Sequence, residues 1–371
     1  MPLDTRFAVA GVTARTPLSE AAPAMLLAKA EPLFSLEEAA RGGADADAVH
    51  DMRVASRRLR EAMRLLAPLY PDSRFGTWYR RARDVTRALG PVRDSDVFIE
   101  EFGRLGGDLG DEGKRAVAFM IGYRMGQREA ELAALGKALG RLDLESRRGS
   151  FAKLAHAVIA SAVADRPLAD FARGAISERA AVVFGVQPAA LDQANIEAQH
   201  ALRIDYKRLR YAVEVFAPCY DDAFGPLHRT LTAFQDTLGE LHDLHVFADM
   251  LRAPDRVEEA RGAGVPASGL AEVEALIETR TRERFAAFEA LAGEYPASTL
   301  LPALVRPLES ASPPVPDADA SAVYEDLPVA SPVIVGEEPW CAGWEGPDDI
   351  GTGGSPPPWA VPDGGPHASG D

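Results

Sequence analysis

Apolar residues return at helical spacing along most of the chain, and one stretch pairs that spacing with a line of cations. Met52, Ala55, Leu59, Ala62 and Leu66 recur every three or four residues and form one stripe of a helix. His50, Arg53, Arg57, Arg60 and Arg64 form a second stripe, roughly 120° from the first. The segment predicts a helix with an apolar side for a core and a cationic side for something else. The same pattern returns 150 residues later. There His200, Arg203, Lys207 and Arg210 stand against Leu202, Tyr206, Leu209, Val213 and Phe216. His aligns with His, Arg53 with Arg203, Arg57 with Lys207, and Arg-Leu-Arg closes both copies.

The flanking elements repeat as well. Pro17-Leu18 opens a helix that runs to about Arg41, and Pro167-Leu168 opens its counterpart, to about Phe184. Gly42-Gly43 ends the first, and Asp45 or Asp47 is placed to cap the basic helix. A third helix opens at Pro71-Asp72 and is expected to break or kink at Leu89-Gly90-Pro91. Leu89 to Asp94 aligns with Leu238 to Asp243 at an offset of 149. Lys114 to about Leu139, and Gly269 to about Ala292, close the two units. So long a period means a duplicated unit rather than a solenoid repeat. The expected fold is all-α: two pseudo-twofold-related four-helix bundles. The expected organisation is a lead-in over 1–16, a first bundle over 17–140 and a connector over 141–166, helical from Phe151 to Ala164. A second bundle over 167–293 follows, then a Pro/Gly-rich acidic tail over 294–371, read as disordered.

Charge sharpens this picture. The 371 residues sum to −16, yet Pro307 to Asp371 holds twelve Asp/Glu and no Lys or Arg. Without those twelve charges the body stands at −4. Within it, Arg53 to Arg104 carries twelve Lys/Arg against seven Asp/Glu. A concentrated basic region in an acidic chain points to a selective anion site rather than general adhesion to nucleic acid. Like charges at helical spacing cost about 0.2–0.5 kcal/mol per pair, so carboxylates from neighbouring helices or a bound polyanion should offset them. Arg80, Arg83 and Arg87 share one face of the third helix and extend the basic surface. The second unit keeps Arg229 but has Thr232 and Asp236 at the other two positions, so the first bundle is expected to contribute more charge. Arg58 and Arg208 lie nearer the apolar side, where pairing with Asp94 and Asp243 would let them brace the fold. His50 and His200 head the stripes. They either add charge as pH falls or stay neutral and fix the helix start.

The paired stretches, His50-x-x-Arg53-x-x-x-Arg57-Arg58-Leu59-Arg60 and His200-x-x-Arg203-x-x-x-Lys207-Arg208-Leu209-Arg210-Tyr211, resemble the CHAD family, the conserved histidine α-helical domain. The two Leu-Gly-x-x-x-Asp segments match it too, and the resemblance covers about residues 17 to 293. It implies two helical bundles that bind inorganic polyphosphate through basic residues. Many relatives also carry an N-terminal CYTH triphosphatase domain with the signature Glu-x-Glu-x-Lys. The stretch before Pro17 is too short to hold one, so a chain without that catalytic unit is expected. The expected ligand residues are His50, Arg53, Arg57, Arg58, Arg60, Arg64, Arg80, Arg83, Arg87, His200, Arg203, Lys207, Arg208, Arg210 and Arg229. Guanidinium groups suit this chemistry because their planar fork donates paired hydrogen bonds to phosphate oxygens.

Rival chemistries find less support. His242, His245 and Asp249 lie on one helix face, but the paired Glu-x-x-His motifs of a di-metal bundle are missing, and no metal or cofactor is expected. No nucleophile elbow, Walker loop or Cys-His signal occurs, so no enzyme activity is expected. Nucleic-acid backbone binding is the alternative function, disfavoured by the scarcity of aromatic residues among the cations. Two cysteines, no long apolar run and no secretory pattern predict a cytoplasmic protein without a membrane contact, carried to polyphosphate granules if it binds them. The tail, with Trp340, Trp344 and Trp359, leaves three readings open: a docking segment for a protein partner, a solubilising tail, or acids that compete with the anionic ligand for the basic helices.

Overall fold

The structure, a computed structural model, describes residues 7–42, 45–70, 73–161 and 163–311. The chain is all-α. In order, the helices are α1 (Leu18–Ser35), α2 (Glu37–Gly42), α3 (Ala46–Leu66), α4 (Ser73–Leu105), α5 (Asp111–Leu142) and α6 (Leu144–Ala155). The second half follows with α7 (Leu168–Ala190), α8 (Ile196–Val215), α9 (Phe224–Arg252), α10 (Pro254–Gly262), α11 (Ala267–Glu294) and α12 (Ala297–Ala311). The duplication extends to the caps. The Asp45 carboxylate accepts from the amides of Asp47 and Ala48 at the start of α3. Asn195, its equivalent, accepts from the amide of Ala198 at the start of α8.

The two halves meet about a local twofold axis that the backbone marks. Pro17 and Pro167, equivalent residues, form an antiparallel bridge with each other. Leu18 N–H donates to the Arg166 carbonyl at 2.9 Å, and Leu168 N–H returns the bond to Thr16 at 3.0 Å. Helix α3 packs on α8, and α5 on α11, across the same axis. One large core runs through both halves and includes Met25, Leu59, Leu89, Leu209 and Leu238. A second, smaller cluster forms where the far ends of α4 and α9 meet α5 and α11, around Phe98, Phe102, Phe247 and Ile277. On α4 the large core ends at Val92 and the small one begins at Phe98. On α9 the switch falls between Leu241 and Leu244. Asp94 and Asp243 occupy these two seams.

Three elements differ from the sequence expectation. Helix α4 runs unbroken through Pro91. A proline inside a helix removes one hydrogen bond, but Leu89 and Val92 are fully buried on either side of it, and that packing carries the helix through. The connector's helix is α6, over 144–155 rather than 151–164. Asp143 adopts a left-handed φ of 45° that turns the chain straight from α5 into α6. The Glu37 carboxylate then caps α6, accepting from the amides of Leu144 at 3.2 Å and Glu145 at 2.9 Å. Finally, residues 297–311 are helix, not tail. Leu300, Leu304 and Leu308 are buried at intervals of four and pack α12 on α7. Pro302 and Pro307 hide that stripe from a sequence reading, because their cost is outweighed by three buried leucines. Helix α12 is the counterpart of α6: Tyr70 Oη donates to the Ala155 carbonyl, and its equivalent Tyr220 donates to the Leu304 carbonyl. The rest of the acidic segment, 312–371, lies outside the described residues, as does the docking role considered for its tryptophans.

Candidate anion-binding site

The N-terminal halves of α3 and α8 bring the two cationic stripes together. Lys207 is held well below its ordinary range, by burial first and then by Arg57, Arg203 and Arg53. Arg203 is likewise lowered by burial and by Arg57, while Asp243 and Asp94 pull the other way. Cations from opposite halves are therefore near neighbours. Among the described residues Arg57, Arg203 and Lys207 form no ion pair and no hydrogen bond, and Nη1 of Arg203 is a buried donor without a partner.

Arg53 is more tightly held. Its Nη1 donates to the Thr86 carbonyl at 2.8 Å, and its Nη2 lies 3.6 Å from Asp94 Oδ1. Burial, then Arg57, lowers its pKa to about 10, so it stays charged at neutral pH. The Leu-Gly-x-x-x-Asp motif has a direct role here. A side chain at Gly90 would start 3.2 Å from Arg53 Nη1, and one at Gly239 would start 3.9 Å from Arg203 Nε. Each glycine lets a guanidinium lie against the partner helix, and the aspartate one turn on faces that same cation.

The two aspartates do not neutralise the site. Asp94 is pushed up by burial despite the opposing pull of Arg53 and Arg57. Yet 52% of its side chain is open. The two observations agree if the carboxylate lines a trough that is wet but enclosed by protein, where water cannot organise freely around the charge. Asp243 is raised to about 6, by burial first, against the pull of Arg203, with Asp94, Glu101 and Glu240 adding to the rise.

His200 and His242 face each other, with their Nδ1 atoms 3.1 Å apart. Burial, then Arg203, takes His242 down to about 3, and His200 is lowered by burial, Arg203 and Lys207. His50 is lowered by burial and by Arg93, which stands where the second half has His242. Of the two readings open for His50 and His200, burial among cations favours the neutral one, because it disfavours the protonated ring. The His242, His245 and Asp249 set is not drawn into a group able to hold a metal ion among the described residues.

Other predicted ligands are placed elsewhere. Arg58 braces the fold, but not through Asp94: its Nε donates to Glu214 Oε2 of the other half at 2.7 Å, and its guanidinium lies over the Phe7 ring. Arg208 does not reach Asp243 either; its ion partner is Asp205 on its own helix, at 3.6 Å. Arg210 is bound by Glu214 and Gln235. Arg60 and Arg64 turn to the hydroxyl of Tyr79, at 3.5 and 3.4 Å, and Arg60 also lies over its ring. Further out on α4, Arg83 pairs with Asp84 at 3.8 Å and Arg80 with the Thr77 hydroxyl, while Arg87 is exposed, as is Arg229 on α9. Arg93 and the buried Thr86 are trough residues that sequence reasoning missed; Arg93 sits one residue before Asp94, where alignment with His242 could have signalled it.

Comparison with known proteins completes the picture. The profile of the CHAD domain matches residues 24–252. The chain belongs to the CHAD family. A search of curated proteins finds no match. Among solved structures, the crystal structure of the CHAD domain from the plant Ricinus communis superposes with a TM-score of 0.60 at 24% identity, covering 79% of this chain and 96% of that one. At that identity the likeness speaks for the fold. The CHAD family is associated with polyphosphate binding in general.

Proposed function

We propose that this CHAD protein binds inorganic polyphosphate in the trough between its halves, without catalysis. The observation that carries this reading is the group of Arg57, Arg203 and Lys207, drawn from opposite halves and engaged in no ion pair or hydrogen bond among the described residues. Crowding cations in an enclosed site raises the free energy of the empty protein, and a linear polyanion lowers it by replacing the missing counter-charge. Polyphosphate carries about one negative charge per phosphate near neutral pH, and its chain can follow a trough. Donors from both halves, His50 and Arg53 from one and Arg203 and His200 from the other, would meet successive phosphates of such a chain. Reading double-stranded nucleic acid would need an exposed helix at a groove, and these cations are recessed.

Calorimetric titration with polyphosphate of defined length tests this. Charge reversal at Arg57 and Lys207 should remove the trough's binding of long-chain polyphosphate while circular dichroism keeps its helical signal. Equal binding by that variant and the wild type would reject the trough. Duplex DNA competing as well as polyphosphate at one ionic strength would favour the nucleic-acid alternative. The same contact would carry the protein to polyphosphate granules, and a fluorescent fusion with the two charge reversals should then lose its granule localisation.

A further inference from the structure

The duplication built two equivalent clefts on the outside of the molecule, and they have diverged. One lies between α4 and α6, with a volume of about 460 Å³, and is lined by Arg74, Thr77, Trp78, Arg81, Ser150 and Lys153 along with Leu154. Its sister lies between α9 and α12. Arg74 and Arg81 are replaced there by Ala223 and Thr230, Thr77 by Pro226 and Lys153 by Pro302, and a single cation, Arg306, lines it.

We propose that the α4–α6 cleft is a second anion site, separate from the trough, that takes a compact group of two or three phosphates. The lining holds three cations and two hydroxyl side chains and no carboxylate. Glu31 of α1 and Glu145 of α6 both bind Arg148, outside the lining. The Arg81 guanidinium rests over the Trp78 ring at 5.2 Å, which fixes its plane. Trp78 itself is buried beneath it, so the floor is rigid. The sister cleft shows that the fold does not need this charge, since the same helices pack there with alanine, threonine and proline in its place. Crowded cations that packing does not require are best explained by a ligand. Arg147 and Arg80 add to the crowding, and together with burial they lower Arg81. The volume suits a small ligand, and paired guanidinium forks suit a short phosphate run better than a single monovalent anion.

Titration of the full chain with tripolyphosphate tests this in the Arg57→Glu/Lys207→Glu background, where the trough is disabled. One equivalent should still bind. Adding Arg74→Gln and Lys153→Gln should weaken that binding at least about tenfold, the loss of roughly one charge-assisted contact. Adding Arg306→Gln in the sister cleft should leave it unchanged. No binding in the trough-disabled background, or binding that survives Arg74→Gln/Lys153→Gln, would overturn the proposal. The trough reading fails separately, if long-chain polyphosphate binds the Arg57→Glu/Lys207→Glu protein as it binds the wild type. A second readout is independent of affinity. Replacing Trp340, Trp344 and Trp359 by Phe leaves Trp78 as the sole tryptophan of the full chain. Its emission should change saturably with tripolyphosphate and lose that response with Lys153→Gln; an unresponsive Trp78 contradicts the site.

Discussion

At the scale of single residues, the trough is set by what two glycines permit and what two aspartates fail to cancel. Both glycines sit inside helices, where Ala is favoured by about 0.5–1 kcal/mol. Gly239→Ala should therefore raise thermal stability by about that amount, since its new methyl meets Arg203 at ordinary contact distance. Gly90→Ala should gain less, because Arg53 must yield from 3.2 Å, and it should weaken polyphosphate binding where Gly239→Ala does not. Melting curves and titration of the pair check both. Asp243 gives the pH dependence. Its folded value of about 6 lies above the ordinary carboxylate value, so its contribution to stability is complete below that ordinary value and is lost as pH rises through about 6. Binding follows the same sign. Protonation removes a negative charge beside Arg203, so affinity should rise as pH falls through about 6, with net proton uptake on binding. Asp243→Asn should bind more tightly at neutral pH and lose this dependence. Calorimetry in buffers of different ionisation enthalpy measures it, and an unchanged proton count in the variant would assign the titration to another group. The sequence displayed Gly90 and Gly239 at equivalent positions, but with Pro91 beside it Gly90 suggested a helix break. That a glycine makes room for a guanidinium 37 residues away depends on how two helices meet, which no local pattern contains.

At the scale of elements, helical periodicity, caps and duplicated prolines made most of the bundle legible, because each is a local property of the chain. What stayed hidden was decided between helices. Glu214 shows this. It is fully buried, accepts from Arg58 of the other half, from Arg210 and from His228, and is pulled down to about 2 by those partners against its burial. Arg58 was thus a brace, but with an acceptor 156 positions away that no spacing rule could nominate. Glu214→Ala should cost about 3–5 kcal/mol in urea unfolding, because it strands Arg58 and Arg210 without a counter-charge. The depressed value places the pH window: this contribution is present above the ordinary glutamate value and lost as pH falls through about 2. Helices α5 and α11 meet by a different device. A side chain on Gly269 would start 2.3 Å from the Glu112 carbonyl, so the backbones themselves are in contact. Gly269→Ala should force them apart and destabilise by about 1–3 kcal/mol, despite the better helix former, whereas Gly239→Ala does the reverse. Matched unfolding curves of these two Gly→Ala variants separate helix propensity from helix contact.

At the scale of the whole molecule, duplication explains why the cations converge. A single basic helix presents its stripe to solvent, and a twofold axis near Pro17 and Pro167 turns two such stripes toward each other. The sequence carried the repeat plainly, and with it the identity of the convergent cations. It did not carry the division between open and committed ones, because Arg57 and Arg60 share a stripe and differ only in what faces them. Charge balance over the full chain supplies a last test. From residue 312 onward there are eleven Asp/Glu and no Lys or Arg, so removing that segment lowers the negative charge of the protein by more than half. A polyanion approaching the trough of the full chain would meet that charge as repulsion, and the tail's acids would compete for the same cations. Both effects act through solvent and weaken as the Debye length shrinks, to about 10 Å at 0.1 M salt and about 3 Å at 1 M. A chain ending at Ala311 keeps α12 and its buried leucines, so it should melt as the full chain does. Its polyphosphate affinity should exceed that of the full chain at low salt, and the two should converge as salt rises. Ending the chain at Tyr295 instead would remove α12 and expose its contact with α7, so only the cut after Ala311 isolates charge from folding. Equal affinities of the two chains at low salt would mean that the acidic segment does not act on the trough at all, and that its charge serves something other than this ligand.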